Sequence, residues 1–230
     1  MIKYYYKYKK YKSKYKKLFN HNMVGGAIPP HAYKYIFPYK NNIDYSQLQL
    51  TDEGEYSITK KHDGDQIYSI MQKELPSLSE LTITDGTGNV GGDTILFGLH
   101  FKKVISFEIN KENFKVLNNN IKVYGLTNVK TYNKDTTIYY NKYTDVLYLD
   151  PPWGGVNYKE SDNIDLYLGK YRIDEYVDYI IQQSWKPKYI FLKLPKNSNF
   201  SRFDKYNTIK YDIVNKNKEI RFNIIFIKCN

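Results

Sequence analysis

The part of the sequence best suited to chemistry is segment 148–155, which reads YLDPPWGG and closes an apolar run typical of a buried strand. Its aspartate and the carbonyl of Pro151 supply two hydrogen-bond acceptors, and Pro151 restricts the preceding residue to an extended backbone. Trp153 offers a flat face on which a base can stack, a contact worth about 1–3 kcal/mol, and Gly154 lets a ligand approach the backbone. The candidate catalytic residues are Asp150, Pro151, Pro152 and Trp153.

Two acceptors beside an aromatic face suit the exocyclic amine of a base. The lone pair of such an amine is delocalised into the ring, and acceptors that hold its N–H groups can turn the lone pair toward a methyl donor. Asp, Asn or Ser followed by Pro-Pro-aromatic is typical of amino-methyltransferases that act on adenine N6, guanine N2, cytosine N4 or glutamine, and the pattern does not choose among them. The alternative is an ordinary tight turn with a core tryptophan.

A glycine-rich turn that matches the dinucleotide pattern G-x-G-x-x-G spans residues 86–91. Glu108 follows about 20 residues later, where a carboxylate would bind ribose hydroxyls. The turn could bind NAD or FAD, bind S-adenosylmethionine, or be purely structural. Asp85 favours S-adenosylmethionine, because a carboxylate is poorly placed beside a pyrophosphate and well placed beside an amino group or a sulfonium. Asp135 could accept a hydrogen bond from the adenine amine, or lie in a surface loop.

Strands that alternate with helices predict the framework that positions these residues. Helices are expected at about 65–75 with Asp63 as cap, through 99 after the glycine turn, from Asn110 to Gly125, and at about 172–184. The expected strands lie at 81–84, 103–109, 128–132, 144–150 and 189–194, followed by a hairpin of 207–214 and 219–229.

This order predicts an α/β fold with a mostly parallel seven-stranded sheet, a C-terminal antiparallel hairpin and helices on both faces. Ligands of such folds bind at the carboxyl ends of the strands. The glycine turn, Glu108, Asp135 and segment 148–155 all fall there, so the sequence predicts a single site at this edge of the sheet.

The chain has 230 residues, a formal net charge of +11 and a pI of about 9.3. This excess of positive charge suggests an anionic partner, nucleic acid first and a membrane surface second. The alternative explanation of the charge is a compositional bias toward Lys, Asn, Ile and Tyr, as in an A/T-rich genome.

Cys229 is the only cysteine, which excludes an internal disulfide and suggests a reducing compartment. The histidines lack metal-ligand spacing, and no apolar run reaches the roughly 20 residues that cross a bilayer. We therefore expect a soluble intracellular protein without a metal.

The first 17 residues are almost entirely Lys and Tyr. They would serve as a basic arm that binds the phosphates of nucleic acid, or as a solvated tail. The sequence of residues 18–50 predicts an irregular extension. The sequence of residues 51–62 predicts a turn followed by a short alternation of polar and apolar residues. We divide the chain into the arm and extension (1–45), a segment that covers the cofactor (46–78) and a catalytic domain (79–230).

Several motifs together resemble the trimethylguanosine synthase family, the cap-specific guanine-N2 methyltransferases. The motifs are LTDEGEYSIT (50–59), DGTGNVGGDTILFG (85–98), NNNIKVYGL (118–126), YLDPPWGGVNY (148–158) and LKLPKN (192–197). The resemblance implies a class I, Rossmann-like methyltransferase that uses S-adenosylmethionine without a metal. Its acceptor would be the N2 amine of 7-methylguanosine in an RNA cap. It also implies that capped RNA is the partner, and we expect a monomer.

The resemblance assigns residues to the two ligands. The cofactor-binding residues would be Ser57, Thr59, Asp85, Gly86, Thr87, Gly88, Gly91, Thr94, Glu108, Ile109, Asp135 and Asp150. The substrate-binding residues would be Trp153, stacked on the cationic base, with Gly154, Asn157, Tyr158, Lys193, Pro195, Lys196 and Asn197, the lysines lying near the cap phosphates.

Asp150 departs from the family pattern, which usually has serine at this position. An aspartate still accepts from an amine, and it leaves open an adenine-N6 methyltransferase that acts on DNA or RNA. A nucleic-acid-binding subunit that keeps the fold with weak or no catalysis is a third possibility. The Lys- and Tyr-rich composition suits a large DNA virus or a protist, and the cytoplasm and the nucleus both remain open.

Overall fold

The computed structural model describes residues 28–154 and 162–229. The basic segment 1–17 and the expected substrate-binding residues Asn157 and Tyr158 lie outside these ranges. The division of the chain at residues 45 and 78 stays a prediction.

Nine strands occur in the described ranges. They are β1 Thr82–Asp85, β2 Lys103–Phe107, β3 Val129–Tyr132, β4 Val146–Leu149, β5 Tyr167–Leu168, β6 Tyr171–Arg172, β7 Tyr189–Pro195, β8 Thr208–Val214 and β9 Ile220–Lys228. Seven of them form one sheet in the order β3-β2-β1-β4-β7-β9-β8, and β5 and β6 form a separate small hairpin. The pairs among β1, β2, β3, β4 and β7 are parallel, whereas β9 runs antiparallel to both β7 and β8. The predicted sheet is therefore confirmed.

The α-helices of the described ranges lie between these strands and before the first of them. They are α1 Asp52–Ser57, α2 Lys61–Glu74, α3 Gly92–His100, α4 Lys111–Val123, α5 Thr136–Tyr139 and α6 Ile173–Ile181. Asn110 caps α4 by accepting the backbone N–H of Glu112 at 2.9 Å, and Gly125 follows its end in the left-handed conformation with φ +61°. Short 3-10 helices span Pro30–Tyr35, Tyr45–Gln47, Leu78–Glu80 and Phe200–Phe203.

Helices cover both faces of the sheet. Strand β4 is buried along its whole length and β7 is nearly so, as expected for parallel strands that are covered on two sides. On one face Tyr148 and Phe191 pack with residues of α2 and α3, and on the other face Leu147 and Leu192 pack with residues of α6. Because side chains alternate between faces, one strand contributes to both cores.

The described part of the extension, residues 28–50, contacts α4 and the residue that follows it. The Tyr124 hydroxyl donates to the carbonyl of Pro38 at 2.5 Å. Asn120 pairs with Gln49 through both its oxygen and its amide, each at 2.9 Å. In this irregular segment, backbone groups of Pro38 and Gln49 thus form hydrogen bonds with the side chains of Tyr124 and Asn120 instead of with another strand or helix turn.

Two local predictions were wrong. Residues 51–62 were expected to form a turn and an alternating run, but Thr51 caps α1 by accepting the N–H of Gly54 at 2.9 Å. Asp63 was expected to cap a helix from about 65. Helix α2 instead begins at Lys61, and Asp63 lies within it, 1% exposed and paired with Arg221 of β9 at 2.9 Å. A long-range charge pair, rather than capping, therefore explains this aspartate.

Helix α2 is joined to the C-terminal hairpin at three places along its length. Besides the Asp63 pair, the Gln66 side chain donates to the carbonyl of Val214 at 2.9 Å and accepts its N–H at 3.1 Å. The Tyr211 hydroxyl donates to Glu74. The segment that leads into the site is therefore anchored to β8 and β9.

Candidate active site

The glycine turn and the Asp-Pro-Pro-Trp motif meet at the carboxyl edge of the sheet. Strands β1 and β4 are neighbours in register, with Asp85 beside Tyr148. The turn continues this pairing, since the N–H of Gly86 donates to the carbonyl of Tyr148 at 2.9 Å. The backbone N–H of Asp150 then donates to the hydroxyl of Thr87 at 2.8 Å. The two motifs that the sequence singled out are thus in direct contact.

Packing alone requires glycine at several positions of the turn. A Cβ on Gly86 would lie 2.4 Å from Leu149, and one on Gly88 would lie 2.3 Å from the Ser106 hydroxyl. Gly91 has φ +103°, which side chains rarely adopt. The turn is therefore as tight as the pattern predicts, and its role in binding a ligand stays a prediction.

Asp85 is fully buried at the end of β1. Its carboxylate accepts the N–H of Thr87 at 3.0 Å and the hydroxyl of Thr94 at 2.5 Å. Burial, and after it the neighbouring Asp93, raise the pKa of Asp85 to about 7. A positive charge beside this carboxyl would stabilise its ionised form.

Three carboxylates and one ammonium share the centre of the site. Asp93 and Asp150 both raise the pKa of Asp85, and Asp93 also raises that of Asp150, so the three lie within electrostatic reach of one another. Lys193 donates to Asp150 at 2.7 Å. The hydroxyl of Thr59 donates to Asp93 at 2.6 Å. With all groups ionised this centre carries a net negative charge, which suits a cationic ligand.

Lys193 is not placed as expected for a lysine near cap phosphates. It is 3% exposed, and its ammonium donates to both Asp150 and Thr59 at 2.7 Å. Burial disfavours its charge, yet Asp150 and Asp93 overcome this effect and raise the pKa of Lys193. Its ammonium is therefore held inside the protein. In the same segment Pro195 is buried, Lys196 is exposed and Asn197 is half-buried.

Glu108 follows β2 and is 8% exposed. Its carboxylate accepts the backbone N–H of Asn89 at 2.7 Å and that of Asn110 at 2.6 Å. Burial raises its pKa to about 7, against the effect of these hydrogen bonds. The hydroxyl of Ser57, at the end of α1, accepts from the Asn89 side chain at 2.7 Å. Ser57 of the segment 46–78 thus contacts the glycine turn, and the role of this segment as a cover over the cofactor stays a prediction.

The residues expected at the adenine end lie after β2 and β3. Asp135 caps α5, since its carboxylate accepts the N–H of Thr137 at 2.8 Å and its hydroxyl at 2.7 Å. Ile109 is 66% exposed. These capping bonds give Asp135 a local structural role at the carboxyl edge, and its contact with an adenine amine stays a prediction.

Trp153 is half-buried and packs against residues of both cores. Its ring lies 5.9 Å from that of Phe222, and the Lys193 ammonium lies 5.5 Å from its centroid. Burial raises the pKa of Asp150 to about 6, against the effect of the Lys193 ammonium, which lowers it. Gly154 follows with φ +86°, a conformation that favours glycine. Pro151 is buried and Pro152 is exposed.

The sequence predictions missed two contributors to this centre. Asp93 lies in a quoted motif, and its position in the first turn of α3 next to Asp85 was a signal that could have been used. Tyr148 is fully buried, and its hydroxyl donates to Asp93 at 3.3 Å. No sequence signal distinguishes Tyr148 from the other apolar residues of its strand.

The residues present fit S-adenosylmethionine. Among the described residues, the side-chain oxygens Asn89 Oδ1 and Asp93 Oδ1 are buried acceptors without a hydrogen-bond donor. Asn89 lies within the glycine turn, and Asp93 follows the turn and belongs to the carboxylate centre. An amino group and a sulfonium would supply the donors and the positive charge that these atoms need. The described residues contain no group of three or more potential metal ligands, and no helix among them is long and apolar enough to cross a membrane.

Comparison with known proteins places the chain among nucleic-acid-modifying enzymes of this fold. The model of a family described as RNA cap guanine-N2 methyltransferase matches residues 81–230. The uncharacterised protein L320 of Acanthamoeba polyphaga mimivirus is 30% identical in an alignment 217 residues long that covers 84% of this chain and 84% of that one. This relative is viral, in agreement with one of the two sources that the composition suggests.

Solved structures share the fold at low sequence identity. The T. thermophilus 16S rRNA N2 G1207 methyltransferase, in complex with AdoMet and guanosine, gives a TM-score of 0.56 at 11% identity over 76% of this chain and 44% of that one. The Aquifex aeolicus tRNA (m1A58) methyltransferase gives 0.52 at 14% identity over 72% and 68%. These similarities confirm the class I, Rossmann-like methyltransferase fold.

Proposed function

Because the chain belongs to the RNA cap guanine-N2 methyltransferase family, we propose that it transfers a methyl group to the N2 amine of 7-methylguanosine in an RNA cap. The fold and the family are those of S-adenosylmethionine-dependent methyltransferases. What the proposal adds is the acceptor, with capped RNA as partner and the protein acting as a monomer.

The hydrogen bond between Asp150 and Thr87 carries the proposal. It joins the turn suited to the methyl donor to the motif suited to the amine, at 2.8 Å between the two heavy atoms. Two reactants bound on these segments would be held side by side, which can supply much of a rate enhancement.

The charge of the centre supports two cationic ligands. Asp93 and Asp150 act on one ammonium, that of Lys193, and Asp85 lies within electrostatic reach of both carboxylates. S-adenosylmethionine carries a sulfonium and an amino group, and 7-methylguanine carries a positive charge on its ring. Both would lessen the repulsion among these carboxylates. An unmethylated guanine or an adenine offers no such charge.

The reaction requires the protein to hold an amine and to receive a proton. S-adenosylmethionine supplies the electrophilic methyl group when it is bound. The carboxylate of Asp150 accepts an N–H of the N2 amine and turns its lone pair toward that methyl. As the N–C bond forms and the S–C bond breaks, the amine loses a proton, which Asp150 takes up before releasing it to water. A carboxyl whose pKa is raised to about 6 is suited to this exchange near neutral pH.

The remaining assigned residues would hold the two ligands. Asp85 would bind the amino group of the methionine moiety, Glu108 the ribose and Asp135 the adenine amine. Trp153 would stack on the 7-methylguanine ring, where a cation–π attraction adds to stacking. Lys196, which is exposed, would reach the cap phosphates.

Transfer of a labelled methyl group to three acceptors tests the acceptor. They are a 7-methylguanosine cap analogue, the same analogue without the 7-methyl group, and an oligonucleotide that contains adenine. We expect transfer to the first alone, with loss of activity in Asp150→Ala. Methylation of adenine alone would show an adenine-N6 methyltransferase instead. Tight RNA binding with no transfer to any acceptor would show a binding subunit.

A further inference from the structure

The register of the sheet places Asp150 and Lys193 side by side. Strands β4 and β7 are parallel neighbours in which Leu149 pairs with Leu192. One step further along both strands brings Asp150 next to Lys193, with 2.7 Å between the carboxylate and the ammonium. The Lys193 side chain is 4% exposed and that of Asp150 is 19% exposed, so this pair is largely shielded from water.

Lys193 also links the amine motif to the segment that covers the site. Its ammonium donates to Thr59 at 2.7 Å, and Thr59 in turn donates to Asp93 at 2.6 Å. The same ammonium lies over the ring of Phe222 at 5.0 Å and over that of Trp153 at 5.5 Å. One side chain thus contacts the Asp-Pro-Pro-Trp motif directly and reaches the start of α3 through the cover segment.

Burial disfavours the charged form of an ammonium and of a carboxylate, and an opposite charge beside either group favours that form again. The charged groups around Lys193 are Asp150 after β4, Asp93 of α3 and, more distantly, Asp63 of α2. Those around Asp150 are Lys193 and Asp93, with Asp85 nearby. Lys193 is therefore the cation that opposes the repulsion of Asp150 by the other two aspartates.

We propose that Lys193 is a positioning residue that keeps Asp150 ionised and fixes its carboxylate for the substrate amine. The proposal deepens the proposed function, on which it rests, and it replaces the expectation that Lys193 binds a cap phosphate. It predicts that Lys193 acts through Asp150, so its removal matters most where Asp150 would become protonated.

The chain offers a matched control at the other end of the same two strands. Lys188 precedes β7 and pairs with Asp145, which precedes β4, at 3.2 Å. That pair is more exposed, with the Lys188 side chain at 58%, and it lies at the amino edge, away from the site. Lys188→Met therefore removes an equivalent charge from the same strand pair without touching Asp150.

The test is the pH profile of kcat for methyl transfer in Lys193→Met, Lys188→Met and wild type. Loss of the cation raises the pKa of Asp150. As the pH is lowered, the kcat of Lys193→Met should therefore begin to decline at a pH at least about one unit higher than the kcat of wild type. Raising the pH should restore its kcat. The profile of Lys188→Met should coincide with that of wild type. Coincident profiles for Lys193→Met and wild type would overturn the proposal.

Two further measurements keep the result decisive. If Lys193→Met does not fold, Asp150→Asn/Lys193→Met removes both members of the ion pair, so Asp150 is not left charged without its partner. Its slow transfer should lack the decline of activity at low pH, the acidic limb of the profile, that comes from Asp150. An acidic limb unchanged from wild type would overturn the proposal.

If wild type methylates no cap, the proposed function fails on its own. Carbon-13 NMR of labelled aspartate in Lys193→Gln still tests the pair, because the Asp150 carboxyl should titrate at least about one unit higher than in wild type, and unchanged titration would overturn the proposal.

Discussion

The hydroxyl of Thr87 accepts the backbone N–H of Asp150 at 2.8 Å. The first residue belongs to the glycine turn after β1 and the second to the motif after β4, and these strands are adjacent in the sheet. The bond fixes the spacing between the expected methyl donor and its acceptor. Transfer should therefore be sensitive to changes at Thr87 that leave both binding segments otherwise intact.

Replacing Thr87 by valine keeps the shape of the side chain and removes the acceptor oxygen. The N–H of Asp150 then loses its partner, at a cost of roughly 1–3 kcal/mol, and kcat/KM for methyl transfer should fall about 5- to 150-fold. Thr87→Ser keeps the hydroxyl and should stay close to wild type. Steady-state kinetics measure both variants, and equal losses in the two would show that the hydrogen bond plays no part.

Replacing Trp153 by leucine removes the stacking face. Because base stacking is worth about 1–3 kcal/mol, the KM for a 7-methylguanosine cap analogue should rise roughly 5- to 150-fold, while calorimetry shows unchanged affinity for S-adenosylmethionine. Trp153→Phe should recover most of the loss. The other tryptophan, Trp185, packs on Tyr140 and Tyr179, and Trp185→Leu should leave the KM unaltered. A KM unaffected in Trp153→Leu would remove Trp153 from the acceptor site.

Binding of S-adenosylmethionine should strengthen as the pH rises through about 7. The raised pKa of Asp85 means that its carboxyl is partly protonated at neutral pH, and a cationic ligand favours the ionised form. Affinity should therefore rise by up to about tenfold per pH unit below this pKa, and binding should release protons. Calorimetry in buffers of different ionisation enthalpy measures both quantities.

Asp85→Asn supplies the control for that experiment. It should weaken S-adenosylmethionine binding and remove the part of the pH dependence that comes from Asp85. Glu108→Gln, which alters a second carboxyl with a pKa of about 7, should weaken binding through the ribose and keep the Asp85 part of the rise. Affinity that is unchanged in Asp85→Asn would refute a direct role for this carboxyl.

Deleting residues 1–17 should weaken binding of long RNA and leave methyl transfer to a dinucleotide cap intact. This segment contains eight lysines and six tyrosines. For each RNA phosphate that the deleted lysines neutralise, the slope of log affinity against log salt concentration should become shallower by about 0.7. Salt titrations of the two proteins measure the difference. Collapse of activity on the small cap would instead make the segment part of the active site.

The fold could be predicted because its strands have strong local signals. The buried parallel strand β4 is a continuous apolar run, and β7 is one apart from Lys193. Glycine or asparagine marks several of the turns between elements, as Asn110 and Gly125 do around α4. The errors arose where tertiary contacts decide the local structure. Asp63 looks like a cap in sequence, but a partner 158 residues away, Arg221, keeps it inside α2.

The site was predicted less completely than the fold. The edge of the sheet followed from strand order alone, and Asp85, Glu108 and Asp150 all lie there. The pairing of Asp150 with Lys193 depends on the register between β4 and β7, whose residues are 43 positions apart. No spacing pattern encodes that register, because parallel strands are joined by long connections of variable length.

The attachment of α2 to the C-terminal hairpin sets the order in which the protein can mature during synthesis. Gln66 and its partner Val214 are 148 residues apart, so at about 5–20 residues per second the ribosome needs roughly 7–30 s to make the chain between them. Through that interval α2 lacks its anchor. A nascent chain that already carries the glycine turn and the Asp-Pro-Pro-Trp motif therefore lacks the contacts that hold α2 until β8 and β9 emerge.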